Sequence, residues 1–213
     1  PHINIHGFSP PELQHFAEVF GMPLREVIVA FKAAGLGSIP GGGGEILVDR
    51  VRQRISPLKC DANAWLEVMQ IAHEEGLKSS ATMMFGHVDT VEDRIEHLQR
   101  LRDQQDASGG FTAFICWTFQ PENTVLKLKP RVGVAESLRM AGLERLFLDN
   151  ILNLQRSGCP RGRGTASRPG PLARTSSSPR FQRATRRRGG SGERVPPAAS
   201  ASGSRSPGPS SRI

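Results

Sequence analysis

Tyrosine is missing from this chain of 213 residues, and cysteine occurs only at Cys60, Cys116 and Cys159. No two of these cysteines are close neighbours, so the spacing offers no zinc knuckle, no CxxC redox pair and no disulfide framework. Such sparing use suits a reducing compartment, and a cytoplasmic location is expected. No apolar run approaches the length of a membrane span, so neither a membrane segment nor a secretory leader is expected. Lysine is absent from residues 157–213, which carry 12 Arg and a single acid, Glu193, a balance of +11. Residues 1–156 carry 16 basic against 19 acidic side chains, a balance of −3, so the net +8 belongs to the tail. A mildly acidic body gives no reason to expect nucleic acid as its ligand.

The tail is also short of apolar side chains. Leu172, Phe181, Val195 and Ile213 are its only large aliphatic or Phe residues. That is too little burial to offset the entropy of ordering, so residues 157–213 are expected to be a disordered Arg/Ser/Gly/Pro-rich tail. An RGRG run at Arg161–Gly164 would allow non-specific RNA contact. The alternative is a frameshifted translation of GC-rich DNA, given Arg without Lys, almost no acids and an abrupt start. The chain opens at Pro1 without Met, which leads us to expect a fragment.

Residues 1–156 must therefore supply the core. His2–His6 alternates like a strand. Ser9-Pro10-Pro11-Glu12 is a capping box with proline in the first turn, predicting a helix to about Phe20. Leu24, Val27, Ile28 and Phe31 recur at helical spacing up to Gly35. Leu36–Ile39 reads as a strand. Asp61 caps a helix that stops at Gly76, and Ser80–Phe85 is a strand. Thr90 with Asp93 opens a helix broken by Gly109-Gly110, and Phe111–Trp117 is a buried strand. A helix from about Val134 to Leu146 follows, and Leu146–Leu148 is expected to begin one more strand. Repeated βα units without hairpin signals imply a parallel sheet. Each strand ends in a polar or glycine-rich cluster, which favours a (β/α) barrel over a doubly wound sheet. Yet 156 residues is too short for a complete barrel of about 250.

Ala34–Pro57, AGLGSIPGGGGEILVDRVRQRISP, organises the rest. Gly41, Gly42, Gly43 and Gly44 free the backbone for positive φ and close approach to a ligand. Glu45 is expected to open a helix, so that free first-turn N–H groups would face a polar or anionic molecule. A plain αβ turn competes with that reading, since neither the Rossmann spacing nor the P-loop ending is present. Glu45 is either a first-turn acid or an acceptor for ligand hydroxyls. Of Arg50, Arg52 and Arg54, one or two could reach a carboxylate or phosphate, the rest forming a solvated face. His2 and His6 share a strand face and, with His87 and Asp89, form a candidate metal site of amidohydrolase type. The competing reading leaves one histidine in solvent and another on a loop hydrogen bond. His15, His73 and His97 are expected on helix surfaces. Gln120, Glu122 and Asn123 flank Pro121 and suit sugar or carboxylate recognition, or a turn. Met83 and Met84 read as core and pocket wall.

IHGFSPPEL, AGLGSIPGGGGEILVDRVRQRISP, TMMFGHVDTVEDRIEHL, LRDQQDASGGFTAFICWTFQPENT and LFLDNI together resemble the radical S-adenosylmethionine enzymes of the futalosine route to menaquinone. The pattern is closest to the cyclic dehypoxanthinyl futalosine synthases, with aminofutalosine synthases and FO synthases as sister patterns. The resemblance covers about residues 2–155. It implies a partial radical SAM barrel of TIM type, missing its first and last strands. It implies S-adenosyl-L-methionine and a [4Fe-4S] cluster on a CxxxCxxC motif, a motif this chain does not contain. It implies a small-molecule nucleoside substrate and no membrane partner. It places Gly41–Glu45 and a following arginine, Arg50, near the cofactor, with His6, Ser9, His87, Gln120, Glu122 and Asn123 toward the substrate. Cys116 stands where the family usually has proline. The chain alone is expected not to hold the cluster. A metal-dependent hydrolase on the same barrel, or a nucleic-acid module led by the tail, are the readings from other classes.

Overall fold

The computed structural model describes residues 3–122, 124, 126, 128 and 132–157. Five short runs pair into one sheet: β1 (Ile5–His6), β2 (Leu36–Ile39), β3 (Lys78–Phe85), β4 (Phe111–Thr118) and β5 (Asn153–Ser157). The spatial order is β1-β2-β3-β4-β5, and every pair is parallel. Each crossover thus steps one strand in the same direction, with no reversal. A doubly wound sheet reverses at a switch point, where its ligand groups gather. An unreversed parallel order is an arc of a (β/α) barrel.

The helices are α1 (Pro10–Phe20), α2 (Leu24–Ala33), α3 (Asp49–Ile55), α4 (Ala62–Glu74), α5 (Val91–Ser108) and α6 (Val134–Phe147). Their boundaries have local chemical causes. The Glu12 carboxylate takes the Ser9 N–H at 2.7 Å, and Gly21 ends α1 at φ +60. Asp61 accepts the Ala64 N–H at 2.7 Å. Thr90 and Asp93 satisfy each other's amides at the start of α5, and Gly109 stops it at φ +58. These side chains take amides that have no partner within the helix, each worth about 1 kcal/mol.

Side chains alternate across the strands. Ile39, Ala81, Met83, Phe85, Phe114 and Cys116 point to the helices, fully buried with Leu13, Ile28, Trp65, Met69, Leu98 and Leu101. The opposite, concave face carries His6 beside Ser38, Thr82 beside Ile115, and Met84 beside Trp117. One face is a dry core and the other is more polar and more open. That division turns the C-terminal edge of the sheet into the mouth of a hollow.

Four expectations change on contact with the structure. Glu45 does not open a helix; α3 starts at Asp49. Ile46, Leu47 and Val48 are drawn into the core, and the Glu45 carbonyl accepts the Met84 N–H at 3.0 Å, so packing and this bond keep the stretch out of the helix. No strand begins at Leu146–Leu148: α6 continues through Phe147, and Leu148 and Ile151 plug the core before β5 starts at Asn153. β1 has only two residues, both exposed, not the five of HINIH. His73 and His97 are not surface groups. His97 is fully buried and accepts the Leu47 N–H at 2.9 Å, while His73 bridges Ser108 and Ser79 at 2.6 and 2.7 Å. His2, Asn123, Cys159 and residues 158–213 lie outside the described residues.

Candidate active site at the C-terminal edge of the sheet

Because all five strands run the same way, the segments that leave their C-terminal ends share one edge. His6, Gly41–Glu45, Gly86–Asp89 and Phe119–Gln120 stand there in strand order. Neighbouring strands lie about 4.8 Å apart, so β1 to β4 spans roughly 14 Å, the breadth of a nucleoside-sized ligand.

The glycine loop is built rather than loose. Gly41 donates its N–H to Ser80 Oγ at 3.0 Å. The Gly41 carbonyl accepts Thr82 Oγ1 at 2.5 Å, and the Gly42 carbonyl accepts Trp65 Nε1 at 3.1 Å. The Gly43 and Gly44 carbonyls both accept Arg52 Nη1, at 2.9 and 3.2 Å. Gly43 sits at φ +79, where a side chain would be strained, and a Cβ there would lie 2.5 Å from Pro11 Cγ. A Cβ on Gly41 would lie 2.5 Å from the Ser80 carbonyl oxygen. Here glycine permits close packing more than motion.

Glu45 follows, its side chain 13% exposed. Oε1 takes Lys59 Nζ at 2.5 Å, whereas Oε2 is buried with no protein partner among the described residues. Buried polar atoms are seldom left unpaired, so an acceptor here is open to a ligand donor.

The arginines divide by helical geometry. Positions 50 and 52 lie roughly 200° apart around a helix. Arg50 points to α5 and donates to Asp93 at 2.6 Å, with its side chain 55% exposed. The structure therefore sets Arg50 in an ion pair beside α5. Arg52, at 4% exposure, is the arginine that reaches the glycine loop. Its partners are backbone carbonyls, which no spacing in the sequence announces.

The GHVD segment is a closed knot. Asp89 accepts the Gly86 and His87 N–H groups at 2.8 and 2.7 Å and pairs with Arg94 at 2.6 Å. Arg94 also donates to Glu136 at 2.7 Å and lies over the Phe85 ring. His87 accepts the Val88 N–H at Nδ1 and donates from Nε2 to the Met84 carbonyl, the neutral tautomer. Burial lowers its pKa, against the pull of Asp89. Both ring nitrogens are thus engaged, and the amidohydrolase reading loses its histidine; among the described residues no three His, Cys, Asp or Glu gather as metal ligands.

His6 Nδ1 lies 2.8 Å from Ser38 Oγ on the concave face. The Ser9 hydroxyl donates to Glu12 at 2.6 Å. Gln120 donates to Thr118 Oγ1 at 3.1 Å, and Glu122 is exposed. Met84, Trp117, Phe119, Ile55, Leu126 and Gln120 enclose most of a hollow of about 390 Å³ at this edge. That is within the size range of small-molecule sites, with apolar walls and few polar groups. The sequence pointed to Met84 and Gln120 there; Trp117 read as strand and Phe119 was not singled out, although strand alternation alone puts Trp117 on the face opposite Cys116.

Comparison with known proteins supplies relatives for the chain. The model of the "CofH/MqnC C-terminal region" matches residues 108–168. Cyclic dehypoxanthine futalosine synthase of Streptomyces coelicolor is 43% identical over 163 residues, 76% of this chain and 41% of that protein. Aminodeoxyfutalosine synthase of Thermus thermophilus is 40% identical over 160 residues, 73% of this chain and 43% of that protein. Over about three-quarters of its length the chain is similar to radical SAM enzymes of this kind, and residues 108–168 match their C-terminal region. A third relative, 5-amino-6-(D-ribitylamino)uracil–L-tyrosine 4-hydroxyphenyl transferase of Synechocystis, is 41% identical over 169 residues, 74% of this chain and 43% of that protein. The chain spans about two-fifths of the length of these relatives. Among solved structures, Streptococcus suis SuiB bound to S-adenosylmethionine aligns with TM-score 0.47 at 13% identity, over 74% of this chain and 39% of that one.

CofH/MqnC enzymes work with S-adenosylmethionine and a [4Fe-4S] cluster, and the two fit this chain differently. Cluster ligation needs closely grouped thiolates. Cys116 is sealed on the helix side of β4, where burial and the neighbouring Glu144 push its thiol far up. Cys60 is half-buried before α4, and burial raises it as well. Neither suits a cluster. The glycine loop with the open Glu45 oxygen does suit a polar cofactor. No helix among the described residues is long and apolar enough to cross a membrane.

Proposed function

We propose that this chain is the S-adenosylmethionine- and substrate-facing middle of a cyclic dehypoxanthine futalosine synthase. The observation that carries the reading is the Glu45 carboxylate, with one oxygen anchored by Lys59 and the other buried and open. It stands beside a fixed glycine loop at the C-terminal edge of a parallel sheet, where barrels of this class hold their ligands. When bound and reduced, S-adenosylmethionine supplies a 5′-deoxyadenosyl radical. The chain's own share is placement. Glu45 accepts a hydroxyl of the cofactor ribose, and Gly41–Gly44 form the floor beneath it. The Met84, Trp117 and Phe119 hollow takes the planar part of a nucleoside-like substrate and keeps water from it. Gln120, His6 and Glu122 offer the polar groups of the rim. His87 and Asp89 brace this edge, and Arg50 is paired with Asp93.

The cyclase assignment over its sisters is supported by HGFSPPE, EILVDRVRQRISP and TMMFGH. Residues 3–155 of this chain, grafted into the Streptomyces coelicolor relative, are expected to convert dehypoxanthine futalosine to its cyclic product. Loss of that conversion, with gain of aminodeoxyfutalosine formation, would reassign the chain to the synthase branch. Glu45→Gln in the same graft is expected to lower S-adenosylmethionine cleavage at least tenfold, as loss of one charge-assisted bond implies. Unchanged cleavage would remove Glu45 from the site.

A further inference from the structure

Four successive carbonyls, Gly41 to Gly44, are all taken by side chains from elsewhere in the fold. Thr82 on β3 holds the first, Trp65 on α4 the second, and Arg52 on α3 the third and fourth. A second anchor fixes Arg52 itself: its Nε donates to the Cys60 carbonyl at 3.1 Å. The guanidinium therefore ties the glycine loop to the turn just before α4, and its planar fork is suited to several acceptors at once. The same turn carries Lys59, whose ammonium anchors Glu45.

Peptide planarity turns these facts into a direction. In a trans peptide the N–H points opposite to the C=O. With the carbonyls drawn to Thr82, Trp65 and Arg52, the N–H groups of Gly42, Gly43 and Glu45 point away from those anchors. Among the described residues none of these three amides has a protein acceptor, while the Gly44 N–H closes the loop onto the Gly41 carbonyl at 3.2 Å. Three open donors then precede the open Glu45 oxygen.

We propose that Arg52 is the positioning residue of this site: by holding the Gly43, Gly44 and Cys60 carbonyls it aims the loop amides and the Glu45 carboxylate at S-adenosylmethionine. It touches no ligand itself. This rests on the cofactor reading of the loop given above, and it adds that the loop's competence depends on a side chain buried behind it. Trp65 and Thr82 act in the same sense on the first two carbonyls.

The test compares the 213-residue chain with Arg52→Lys, which keeps the charge but loses the fork, and with Trp65→Phe, which removes the indole N–H together with one ring of a fully buried side chain. Amide hydrogen exchange of Gly42–Glu45 and S-adenosylmethionine binding by calorimetry are measured on each. Arg52→Lys is expected to raise exchange in the loop at least tenfold, leave β3 and β4 protected, and weaken binding about tenfold. Trp65→Phe is expected to do the same to a smaller degree, and it serves alone where Arg52→Lys does not fold. Loop exchange equal to wild type in the variants overturns the proposal. So does faster exchange with unchanged affinity, because the loop is then held for stability and not for the ligand. Wild-type chain that takes up no S-adenosylmethionine overturns the cofactor reading, and the ligand half of this inference with it. The exchange data still decide whether Arg52 holds the loop, so the two failures are told apart.

Discussion

Asp89 gives the sharpest stability test, because each of its oxygens has separate work. Its side chain is fully buried. Oδ1 accepts the Gly86 and His87 N–H groups, and Oδ2 faces Arg94 Nε at 2.6 Å. Asp89→Asn keeps an oxygen for the two amides but sets an NH₂ against the Arg94 N–H. One charge-assisted bond is lost, about 1.5–3 kcal/mol, and a buried donor is left facing another donor, a further ~1 kcal/mol. Arg94 keeps Glu136 and the Phe85 ring, which limits the damage. The expected cost is about 3 kcal/mol, or roughly 6–12 °C in Tm for a body of this size. Asp89→Ala also orphans both amides and is expected to cost about 5 kcal/mol. Equilibrium unfolding in urea, followed by far-ultraviolet circular dichroism, reads both values. Arg94→Met combined with Asp89→Asn is expected to cost less than the two single changes together, since the opposed donors vanish. A cost below ~0.5 kcal/mol for Asp89→Asn, or strict additivity in the double variant, would refute the account of this knot.

Burial holds the His97 pKa down to about 3, with Arg52 adding to the shift, so the folded chain keeps it neutral where the unfolded chain protonates it near 6.5. The unfolded state then binds more protons between these values, so stability is full above pH 6.5 and falls as the pH drops toward 3; His97→Gln is expected to flatten that slope by about one proton in urea titrations. Iodoacetamide with peptide mass spectrometry is expected to label Cys60 in the folded chain and Cys116 only after unfolding, because Cys116 is fully buried and its thiol is driven up; equal labelling would contradict the placement of β4. Gly43→Ala forces a side chain to φ +79 and against Pro11, and is expected to cost about 1–3 kcal/mol, with wild-type stability as the contrary result.

What could be read in the sequence was what local chemistry decides. Thr90 with Asp93, Asp61, Ser9 with Glu12, and Gly109 carry their helix boundaries within three or four residues, and the structure puts them to that use. The parallel order also followed, because βα alternation leaves few other topologies. The errors lie where distant packing outweighs local signals. Glu45 resembles a first-turn acid, but Ile46 and Leu47 have a core to fill and Met84 offers a backbone bond. β5, NLQRS, has a single large apolar side chain, so its strand character comes from pairing with Ala113–Trp117, not from its own pattern. His97 lies among polar neighbours in α5 and looks solvated, yet the amide that it satisfies belongs to Leu47, fifty positions away.

The same division explains why four glycines marked the site while the residues that shape it stayed hidden. A run of glycine tells only that something comes close. Here it is approached on every side: Ser80 at Gly41, Ser9 at Gly42, Pro11 at Gly43 and Thr82 at Gly44 each occupy the space a Cβ would need. Those neighbours belong to β3 and to α1 with its N-cap, so the loop's shape is a property of the assembled arc and not of the GGGG string. It follows that Arg52, rather than any glycine, carries the most information about the loop, since one side chain reaches two of its carbonyls and a third carbonyl beyond it. Arg54, two positions on in the same alternating arginine run, lies on the other face of α3, and helical phase alone separates the buried anchor from the solvated charge. A flexible glycine turn would need no such anchor; a loop that presents open amides and an unpaired carboxylate oxygen to a ligand does, because every degree of freedom left in it would have to be frozen on binding.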